Sequence, residues 1–471
     1  MMNRTLLGAA VLLALTGCAN LAPDYQQPAA PIPAEWPASA ASVGQGKSLA
    51  DIGWQDFFAD ARLKQLVSLA LSNNRDLRVA ILNIEKARAQ FQISGAARYP
   101  AVNATGAESV QRPADVLSPG GHGEVSRQYS LGIGVSGYEL DFFGRIANLK
   151  DQALEQFLAT EEARRSAHIS LVAEVANTWL ALAADQERLQ LAKDTLASQQ
   201  NSLALTQRSF DVGVSSALDL NLARISAEVA RGDVARYTAA VAQDRNALSL
   251  VVGSQPAEDL LPSGLTEVAS LMSDIPAGVP SETLLQRPDI AQAERLLRAA
   301  NANIGAARAA FYPRIVLTGS GGVASNKLAS LFDAGTGTWS FLPQIILPIF
   351  NAGSNQANLD AARVDKDIRI AQYEKAIQSA FREASDALAV RATVGEQLAA
   401  QQALVDAATE SYRLSDLRFR TGVDSYLPVL DSQRSHYSAR QGLISVQQAR
   451  QSNMVSLYKV FGGGWLEAAT P

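Results

Sequence analysis

Two very long segments of the chain carry apolar side chains at every seventh position. The first segment runs from about residue 145 to 210 and contains neither proline nor glycine. A heptad repeat is typical of helices that pack as coiled coils, and at 1.5 Å per residue this helix would be roughly 100 Å long. Its heptad positions are Val175, Leu182, Leu189, Leu196, Leu203 and Phe210. The pattern predicts a helix far longer than those of ordinary globular domains.

The second segment, from about residue 354 to 419, repeats this pattern, although Ala384 and Arg391 interrupt its apolar series. A glycine follows each segment, at Gly213 and at Gly422. Glycine suits a helix end that reverses direction, because it adopts the left-handed conformation at little cost. The heptad positions of the second segment are Ile370, Ile377, Leu398, Val405, Tyr412 and Phe419. We therefore predict two helical hairpins, with returning helices at about 217–252 and 427–461.

Apolar residues alternate with mostly small or polar ones before each long helix, at about 101–140 and 314–347. Each stretch has room for two strands of roughly ten residues, the length that crosses a bilayer as tilted β-structure. The clearest apolar positions are Tyr129, Leu131, Ile133 and Val135, and then Trp339, Phe341, Ile345 and Leu347. A small soluble sheet that caps a helical body is the alternative interpretation.

Four strands per chain cannot close on themselves, and lipid does not tolerate open sheet edges. If the strands insert into a membrane, the protein must therefore be an oligomer. Two chains would supply eight strands and three chains twelve, and the strand pattern does not choose between them.

An internal repeat relates the two halves of the chain. Residues 76–100 align without a gap on residues 289–313, and both segments contain Gly-Ala-Ala-Arg and end in Tyr-Pro. Residues 210–216 align in the same way on residues 419–425. The chain is therefore interpreted as two copies of one unit, each made of a helix, strands, a very long helix and a returning helix.

The N-terminus has the features of a secretory signal. Arg4 precedes an apolar run from Leu6 to Leu15 that is too short to span a bilayer. The run ends in Leu15-Thr16-Gly17-Cys18, which matches a lipobox and makes Cys18, the only cysteine, the predicted site of lipid attachment. Ala19 in place of aspartate suggests, by similarity to Gram-negative sorting rules, delivery to the outer membrane.

These patterns divide the chain into six regions. In chain order they are a signal peptide at 1–17, a lipidated proline-rich tether at 18–48, repeat 1 at 49–253, a linker at 254–288, repeat 2 at 289–462 and a tail at 463–471.

The composition argues against an enzyme and against a nucleic-acid-binding protein. The formal net charge is −5, with the charges well mixed, so no basic footprint is present. The three histidines lie in separate segments, and no zinc-protease, P-loop or nucleophile-elbow motif occurs. We expect no metal and no cofactor other than the covalent lipid on Cys18.

Several short motifs spread over the mature chain resemble those of the TolC-type outer membrane factors, and within them the NodT-like lipoproteins of RND (resistance-nodulation-division) efflux systems. The motifs are Cys18 with Pro23-Asp24-Tyr25 and Pro28, Trp54 with Phe57-Phe58 and Leu63, Tyr99-Pro100, residues 138–144 (YELDFFG), Arg420-Thr421-Gly422-Val423, residues 427–431 and Gly462-Gly463-Gly464-Trp465.

The resemblance implies an α+β membrane protein that forms a homotrimer. Each protomer would contribute four strands to a twelve-stranded barrel in the outer membrane, and a long antiparallel coiled-coil barrel would continue it into the periplasm. Residues 254–288 would belong to an equatorial belt around that tunnel. The implied partners are a periplasmic membrane-fusion adaptor, an inner-membrane RND transporter and outer-membrane lipid.

The resemblance also assigns roles at the two glycine turns. Leu427 and Asp431 would form constricting rings at a periplasmic gate, and Arg434 and Arg420 would help to hold it closed. Leu427, Asp431 and Arg434 follow the second turn and are spaced to share one helix face. A simpler interpretation of Asp431 and Arg434 is a solvent-exposed ion pair on that helix. Pro428 replaces a second acid found in some relatives. The tips expected to dock the adaptor are Asp211, Val212, Gly213 and Val214, with Thr421, Gly422 and Val423.

The function implied is a passive exit duct for drugs or other small toxic solutes, gated at its periplasmic tips and opened when the pump assembles. Two alternatives remain from the sequence. One is the outer-membrane channel of type I protein secretion, and the other is a lipid-anchored periplasmic coiled-coil scaffold.

Overall fold

The computed structural model describes residues 20–33, 36, 52–117, 122–265 and 281–463. Cys18 and the predicted signal peptide lie outside the described residues. So do most of the predicted tether, residues 266–280 of the predicted linker and the tail beyond 463.

The described residues form eight α-helices and four strands. The helices are α1 (Trp54–Phe57), α2 (Ala61–Asn73), α3 (Arg75–Ala96), α4 (Arg145–Asp211), α5 (Ala217–Val252), α6 (Pro288–Ala309), α7 (Ser354–Arg420) and α8 (Leu427–Val460). The strands are β1 (Val102–Gln111), β2 (Ser126–Leu140), β3 (Arg314–Ser325) and β4 (Gly337–Ile346). Helices α4 and α7 each contain 67 residues, and both halves of the chain present the order helix, strand, strand, long helix, helix.

The chain divides into two compact units. The strand unit comprises Ile84–Thr160 and Ala293–Tyr373 together with the N-terminal segment up to Ala29. The helix unit comprises Ala30–Asn83, Glu161–Gln292 and the chain from Glu374 onwards.

The strand unit contains one antiparallel sheet in the order β1-β2-β3-β4. Leu131 of β2 lies between Gly106 of β1 and Val323 of β3. The β2–β3 register shifts between Val135 and Tyr138, as expected for an irregularity that bends a strand. Because the order is linear, β1 and β4 are the two edges of the sheet.

The register gives the sheet one largely apolar face and one small, polar face. Residues directly opposite each other share a face, so Ile133 lies on the same side as Trp339 and Phe341. Trp339 is 81% exposed and Ile133 63% exposed. The other face carries serine, threonine and glycine, and the hydroxyls of Ser320 and Ser340 lie 2.8 Å apart across two strands. An exposed apolar face of this kind needs a non-aqueous environment or a partner.

The N-terminal segment packs along α6 in the strand unit. The Asn301 side-chain amide donates to the Pro23 carbonyl at 2.7 Å, and Arg308 donates to the Leu21 carbonyl at 3.0 Å. Gly305 lies between these two contacts. A Cβ atom at Gly305 would stand 2.7 Å from the Ala22 nitrogen, so only glycine leaves room for the segment.

The helix unit contains an aromatic core around the end of α8. The Tyr458 ring stacks on Phe57, with 3.9 Å between ring centroids, and its hydroxyl donates to the Ile52 carbonyl. The indole of Trp179 is fully buried and donates to the Leu260 carbonyl at 3.1 Å. An 18-residue stretch of α4 is apolar enough to cross a membrane by composition, but most of it is buried in the protein, as in a core helix.

Two carboxyl groups meet between α4 and α5 in the helix unit. Burial, followed by the nearby charge of Asp185, raises the pKa of Asp244 to about 6. Arg188 pairs with Asp185 at 2.6 Å and also donates to Gln448 of α8 at 3.1 Å. One guanidinium therefore neutralises Asp185, whereas the Asp244 carboxylate is ionised at neutral pH at a cost in stability.

We predict that Asp244→Asn stabilises the protein above pH 6. A carboxyl whose pKa is raised in the folded state binds more protons folded than unfolded, so stability is lost as pH rises through about 6. Melting temperatures measured at pH 5 and pH 8 should therefore be closer together in the variant than in the wild type. Asp194→Asn, on the exposed side of α4, is the control. An equal pH dependence in wild type and Asp244→Asn would contradict the prediction.

Candidate site at the helical hairpin tips

The first hairpin reverses direction through a glycine-dependent helix cap. Gly213 has φ +78° and donates its N–H to the Phe210 carbonyl at 2.9 Å. Val214 donates to the Ser209 carbonyl at 2.8 Å. These two bonds form a Schellman motif, which satisfies the last carbonyls of α4. Asp211 is the last helical residue, so the exposed turn begins at Val212.

The second hairpin reverses with the same geometry. Gly422 has φ +77° and donates to the Phe419 carbonyl at 2.9 Å, and Val423 donates to the Arg418 carbonyl at 2.9 Å. Thr421 donates its hydroxyl to the Leu417 carbonyl at 3.0 Å. The glycines identified in the sequence therefore occupy equivalent positions in two equivalent turns.

The returning helices begin differently. Ser216 caps α5 in a complete capping box, with Asp219 bonding back to the Ser216 backbone and hydroxyl. Helix α8 has no side-chain cap, since Tyr426 stands at its N-cap position, and proline lies in its first turn. The start of α8 therefore relies on packing rather than on a polar cap.

A hydrophobic cluster joins the ends of all four long helices. Its centre consists of Ala223 of α5 with Tyr426, Val429 and Leu430 at the start of α8. Apolar residues of α4 and α7 pack around that centre, together with one from α5. These are Leu203, Leu222, Tyr412 and Phe419. The two tips are thus parts of one packed structure.

Tyr426 is a central residue that the sequence interpretation missed. It is 3% exposed, and its ring lies 5.1 Å from that of Phe419. Tyr426 lies seven residues after Phe419, which itself lies seven residues after Tyr412, so the heptad spacing could have identified it. The sequence analysis did not extend the heptad series to Tyr426, because such a series is normally followed within one helix and a glycine turn lies between Phe419 and Tyr426.

Three of the four residues proposed for the gate lie on one exposed face of α8. Leu427 is 59% exposed, and Asp431 and Arg434 are also exposed, whereas Leu430 and Gln433 between them are buried. Their common face agrees with the predicted spacing. Within the described part of the chain, neither Asp431 nor Arg434 has an ion-pair partner in the protomer.

Arginines at the end of α7 pair with other acids. Arg420 pairs with Asp416 at 2.8 Å, one helical turn earlier, rather than with Asp431. Arg418 holds Asp424 across the turn, with a bond of 2.9 Å, and its hydrogen bonds keep the pKa of Asp424 below the usual value. Asp416 and Asp424 were not identified from the sequence, because their roles depend on how the turn folds.

The tips also expose apolar side chains. Val212 and Val214 are 74% and 81% exposed, and Val423 is 62% exposed. Isolated exposed valines are ordinary, but these occur at both turns of a single packed structure. No cluster of histidine, cysteine and acidic residues suited to a metal occurs among the residues described.

Comparisons with known proteins agree on one class. A family model described as "Outer membrane efflux protein" matches residues 66–254 and 279–463. The chain is 48% identical over 469 residues to "Toluene efflux pump outer membrane protein TtgC" of Pseudomonas putida, covering 99% of this chain and 97% of that protein. It is equally similar, with the same coverage, to "Antibiotic efflux pump outer membrane protein ArpC" of Pseudomonas putida.

A solved structure shares the fold. The open-state Neisseria gonorrhoeae MtrE outer membrane channel superimposes with a TM-score of 0.86 at 38% identity, over 95% of this chain and 99% of that one. The family expected from the sequence motifs is confirmed, as is the combination of a mainly helical chain with a small sheet.

We predict that Gly422→Ala loosens the second tip. A Cβ atom in the left-handed conformation costs about 1 kcal/mol, so amide hydrogen exchange at residues 418–424 should accelerate several-fold. Gly395→Ala is the matched control, because this glycine lies inside α7 with open space around it. The control should stabilise the helix by up to about 1 kcal/mol. Equal exchange rates at the tip in both variants would contradict the prediction.

Proposed function

The chain belongs to the outer membrane efflux protein family and is an outer-membrane component of an efflux pump, and from this premise we propose that it forms the passive exit duct of a tripartite pump. The duct would be a homotrimer that a periplasmic membrane-fusion adaptor joins to an inner-membrane RND transporter. The transporter would supply the energy, as the resemblance to RND efflux systems implies.

The observation that carries this proposal is the sheet with an apolar face and two unpaired edges. Strands β1 and β4 run in opposite directions, since each neighbouring pair in the sheet is antiparallel. Strand β4 of one chain can therefore pair antiparallel with β1 of the next, and the pairing can continue until the ring closes. The resemblance to TolC-type factors favours three chains and twelve strands. Closure would satisfy every edge group and turn the apolar face to lipid.

The N-terminal segment supports a lipid anchor on Cys18. Leu21 is held by Arg308, which lies next to the end of α6 and six residues before β3 begins. An anchor three residues before Leu21 would reach at most about 11 Å from that point. This distance is compatible with a lipid entering the membrane close to the start of the strands.

The exported solutes are proposed to be small toxic compounds such as organic solvents and antibiotics. Relatives that are 48% identical over nearly the whole chain are named for toluene and for antibiotic efflux. The efflux names favour this role over type I protein secretion, and the similarity to a solved channel favours a duct over a periplasmic scaffold.

A deletion strain complemented with the intact gene tests the proposed duct. Loss of the protein should increase sensitivity to toluene and to antibiotics. Purified lipidated protein should migrate as a heat-dissociable trimer and should conduct ions in planar bilayers.

Gly134→Arg would serve as a barrel-disrupting variant, since a Cβ atom at Gly134 already meets Gly319 and Ser320 of β3 within 3 Å. A monomeric protein without conductance would overturn the proposal.

The gate is proposed to lie on the exposed face of α8 formed by Leu427, Asp431 and Arg434. In a trimer, three copies of Asp431 around one axis would repel one another unless cations offset them. Arg434 lies one turn further along α8 and has no ion pair among the described residues, so its guanidinium is available to a neighbouring protomer's Asp431. Arg420 is proposed to act together with Arg434 when the ion pair between Arg420 and Asp416 breaks.

We predict that Asp431→Ala combined with Arg434→Ala loosens the closed entrance. Single-channel conductance in planar bilayers should rise several-fold, since both the charged ring and its cation are lost. Arg440→Ala, on an exposed position further along α8, is the control and should leave conductance at the wild-type value. Unchanged conductance in the double variant would count against the gate.

The adaptor is proposed to dock on the two tips, at Asp211 to Val214 and at Thr421 to Val423. The exposed valines at both turns supply apolar contacts, and the Schellman turns hold them in place. An adaptor that docks beside α8 would contact the helix whose start lacks a polar cap. Pump assembly would in this way act directly on the helix that carries the proposed gate.

A cysteine at Ser425 should cross-link to the adaptor in cells. Ser425 is exposed beside the second tip, whereas Ser216 caps α5 and is less suitable for substitution. A cysteine at Gln200, exposed on α4 away from the tips, is the control. No adduct from Ser425→Cys, or equal adducts from both positions, would contradict docking at the tips.

A further inference from the structure

The two halves of the chain form an internal interface within the strand unit. Strand β2 of the first half pairs with β3 of the second half, and Glu155 of α4 accepts a hydrogen bond from Arg295 of α6 at 3.3 Å. The corresponding elements on the outer sides are β4 with α7 and β1 with α3. Strands β1 and β4 are the two edges of the described sheet. The outer sides of the protomer therefore carry the elements for a second interface of the same kind.

The helices of the two halves correspond residue by residue. The sequence repeat places counterparts 213 positions apart in α3 and α6, and 209 positions apart in α4 and α7. The packing agrees with these offsets. The Nζ atom of Lys150 lies 5.7 Å from the centre of the Phe91 ring. Their counterparts, Leu359 and Ile304, also pack together, in one buried cluster.

The strands of the two halves correspond in the same way. Val102 of β1 pairs with Val135 of β2. Ile315, the counterpart of Val102, pairs with Ile345 of β4, so counterparts in β2 and β4 lie 210 positions apart. The large apolar side chains of the two strands then match. The matching pairs are Tyr129 with Trp339, Leu131 with Phe341, and Val135 with Ile345.

We propose that the interface between two protomers repeats the internal interface, with β4 and α7 of one protomer against β1 and α3 of the next. The inference rests on the proposed trimeric duct and adds the register of its contact. Within the chain, Leu131 lies opposite Val323. Their counterparts are Phe341 of β4 and Val110 of β1, which therefore face each other across the protomer interface.

This register keeps the apolar face of the sheet continuous from one protomer to the next. Val110 and Gly106 lie on the apolar face through their pairing with β2, and Phe341 and Ile345 lie on it through their pairing with β3. The register sets Phe341 opposite Val110 and Ile345 opposite Gly106. A shift by one residue would instead join the apolar face of one protomer to the polar face of the next.

The helices beside the sheet show a compensating exchange of side-chain size. Asn148 of α4 lies so close to Gly305 of α6 that a Cβ atom on Gly305 would stand 2.6 Å from the Asn148 amide. Their counterparts carry the opposite sizes, since Ala357 replaces the asparagine and Gln92 replaces the glycine. Both counterparts are exposed in the protomer. A large residue against a small one is kept with the roles reversed, as close packing of α3 against α7 requires.

Disulfide trapping in the full-length, membrane-embedded protein tests the register. Ser109 and Leu342 are the counterparts of Gly322 and Gly132, which lie opposite each other within the chain. Directly opposite positions lie within disulfide distance. Mild oxidation of the variant with Ser109→Cys and Leu342→Cys should therefore give covalent dimers and trimers.

The matched control combines Ser109→Cys with Ser340→Cys, which moves one thiol by two residues on the same face. The diagonal distance of about 7 to 8 Å is too long for a disulfide, so the yield of covalent oligomer should be at least about tenfold lower. Each single cysteine variant is tested alone, which shows whether Cys18 takes part in any cross-link.

A size exchange tests the helix contact. Ala357→Asn sets a large side chain against Gln92 and should lower the temperature at which the trimer dissociates by several degrees. Adding Gln92→Gly recreates the pair formed by Asn148 and Gly305 and should restore most of that loss. Glycine weakens a helix interior, so a recovery cannot come from a general gain in helix stability. Gln356→Asn, at the exposed neighbouring position, is the control and should dissociate as the wild type does.

The outcomes separate this inference from the proposed duct. A monomeric protein without conductance would overturn both. If trimers conduct but the control cysteine pair cross-links better, or neither pair cross-links, the register is wrong while the duct stands. If Gln92→Gly fails to restore the trimer that carries Ala357→Asn, the contact between α3 and α7 is wrong.

Discussion

Unsatisfied backbone groups at the edges of a four-stranded sheet are the constraint on which the rest of the protein depends. A strand edge carries a row of N–H and C=O groups that lipid cannot hydrate. The apolar face around Ile133 and Phe341 favours lipid, while the free edges of β1 and β4 forbid it for a single chain. In the proposed oligomer, association of chains would resolve this conflict and would explain why one protomer presents so much apolar surface.

The two hairpins combine similar turns with different helix starts. Both long helices end in the same glycine-based cap, which satisfies their last carbonyl groups. Helix α5 then begins with the Ser216 capping box, whereas α8 begins at Tyr426 without one. Stability at the start of α8 comes from Tyr426, Val429 and Leu430 in the shared cluster. The helix that carries the proposed gate is therefore held by packing, which can be rearranged, rather than by a local cap.

Several features of the tips followed directly from local patterns. Gly213 and Gly422 were identified because a reversing helix needs a left-handed residue, and both adopt it. The exposed face of Leu427, Asp431 and Arg434 followed from helical spacing. Ion pairing did not follow, since Arg420 pairs with Asp416 and Arg418 with Asp424. Arginine side chains are long enough to reach several acids, so their choice depends on the exact path of the turn.

By itself the sequence determined the periodic features: the long helices, the four amphipathic strands, the glycine turns and the family motifs. These depend on interactions between residues close together in the chain, whose spacing is visible in one dimension. Tertiary structure alone decided which helices share the tip cluster, why Gly305 must be glycine, and that Tyr426 packs against Phe419 across the second turn. Such contacts join residues that lie far apart in the chain or on either side of a turn, and no period within one helix encodes the packing that brings them together.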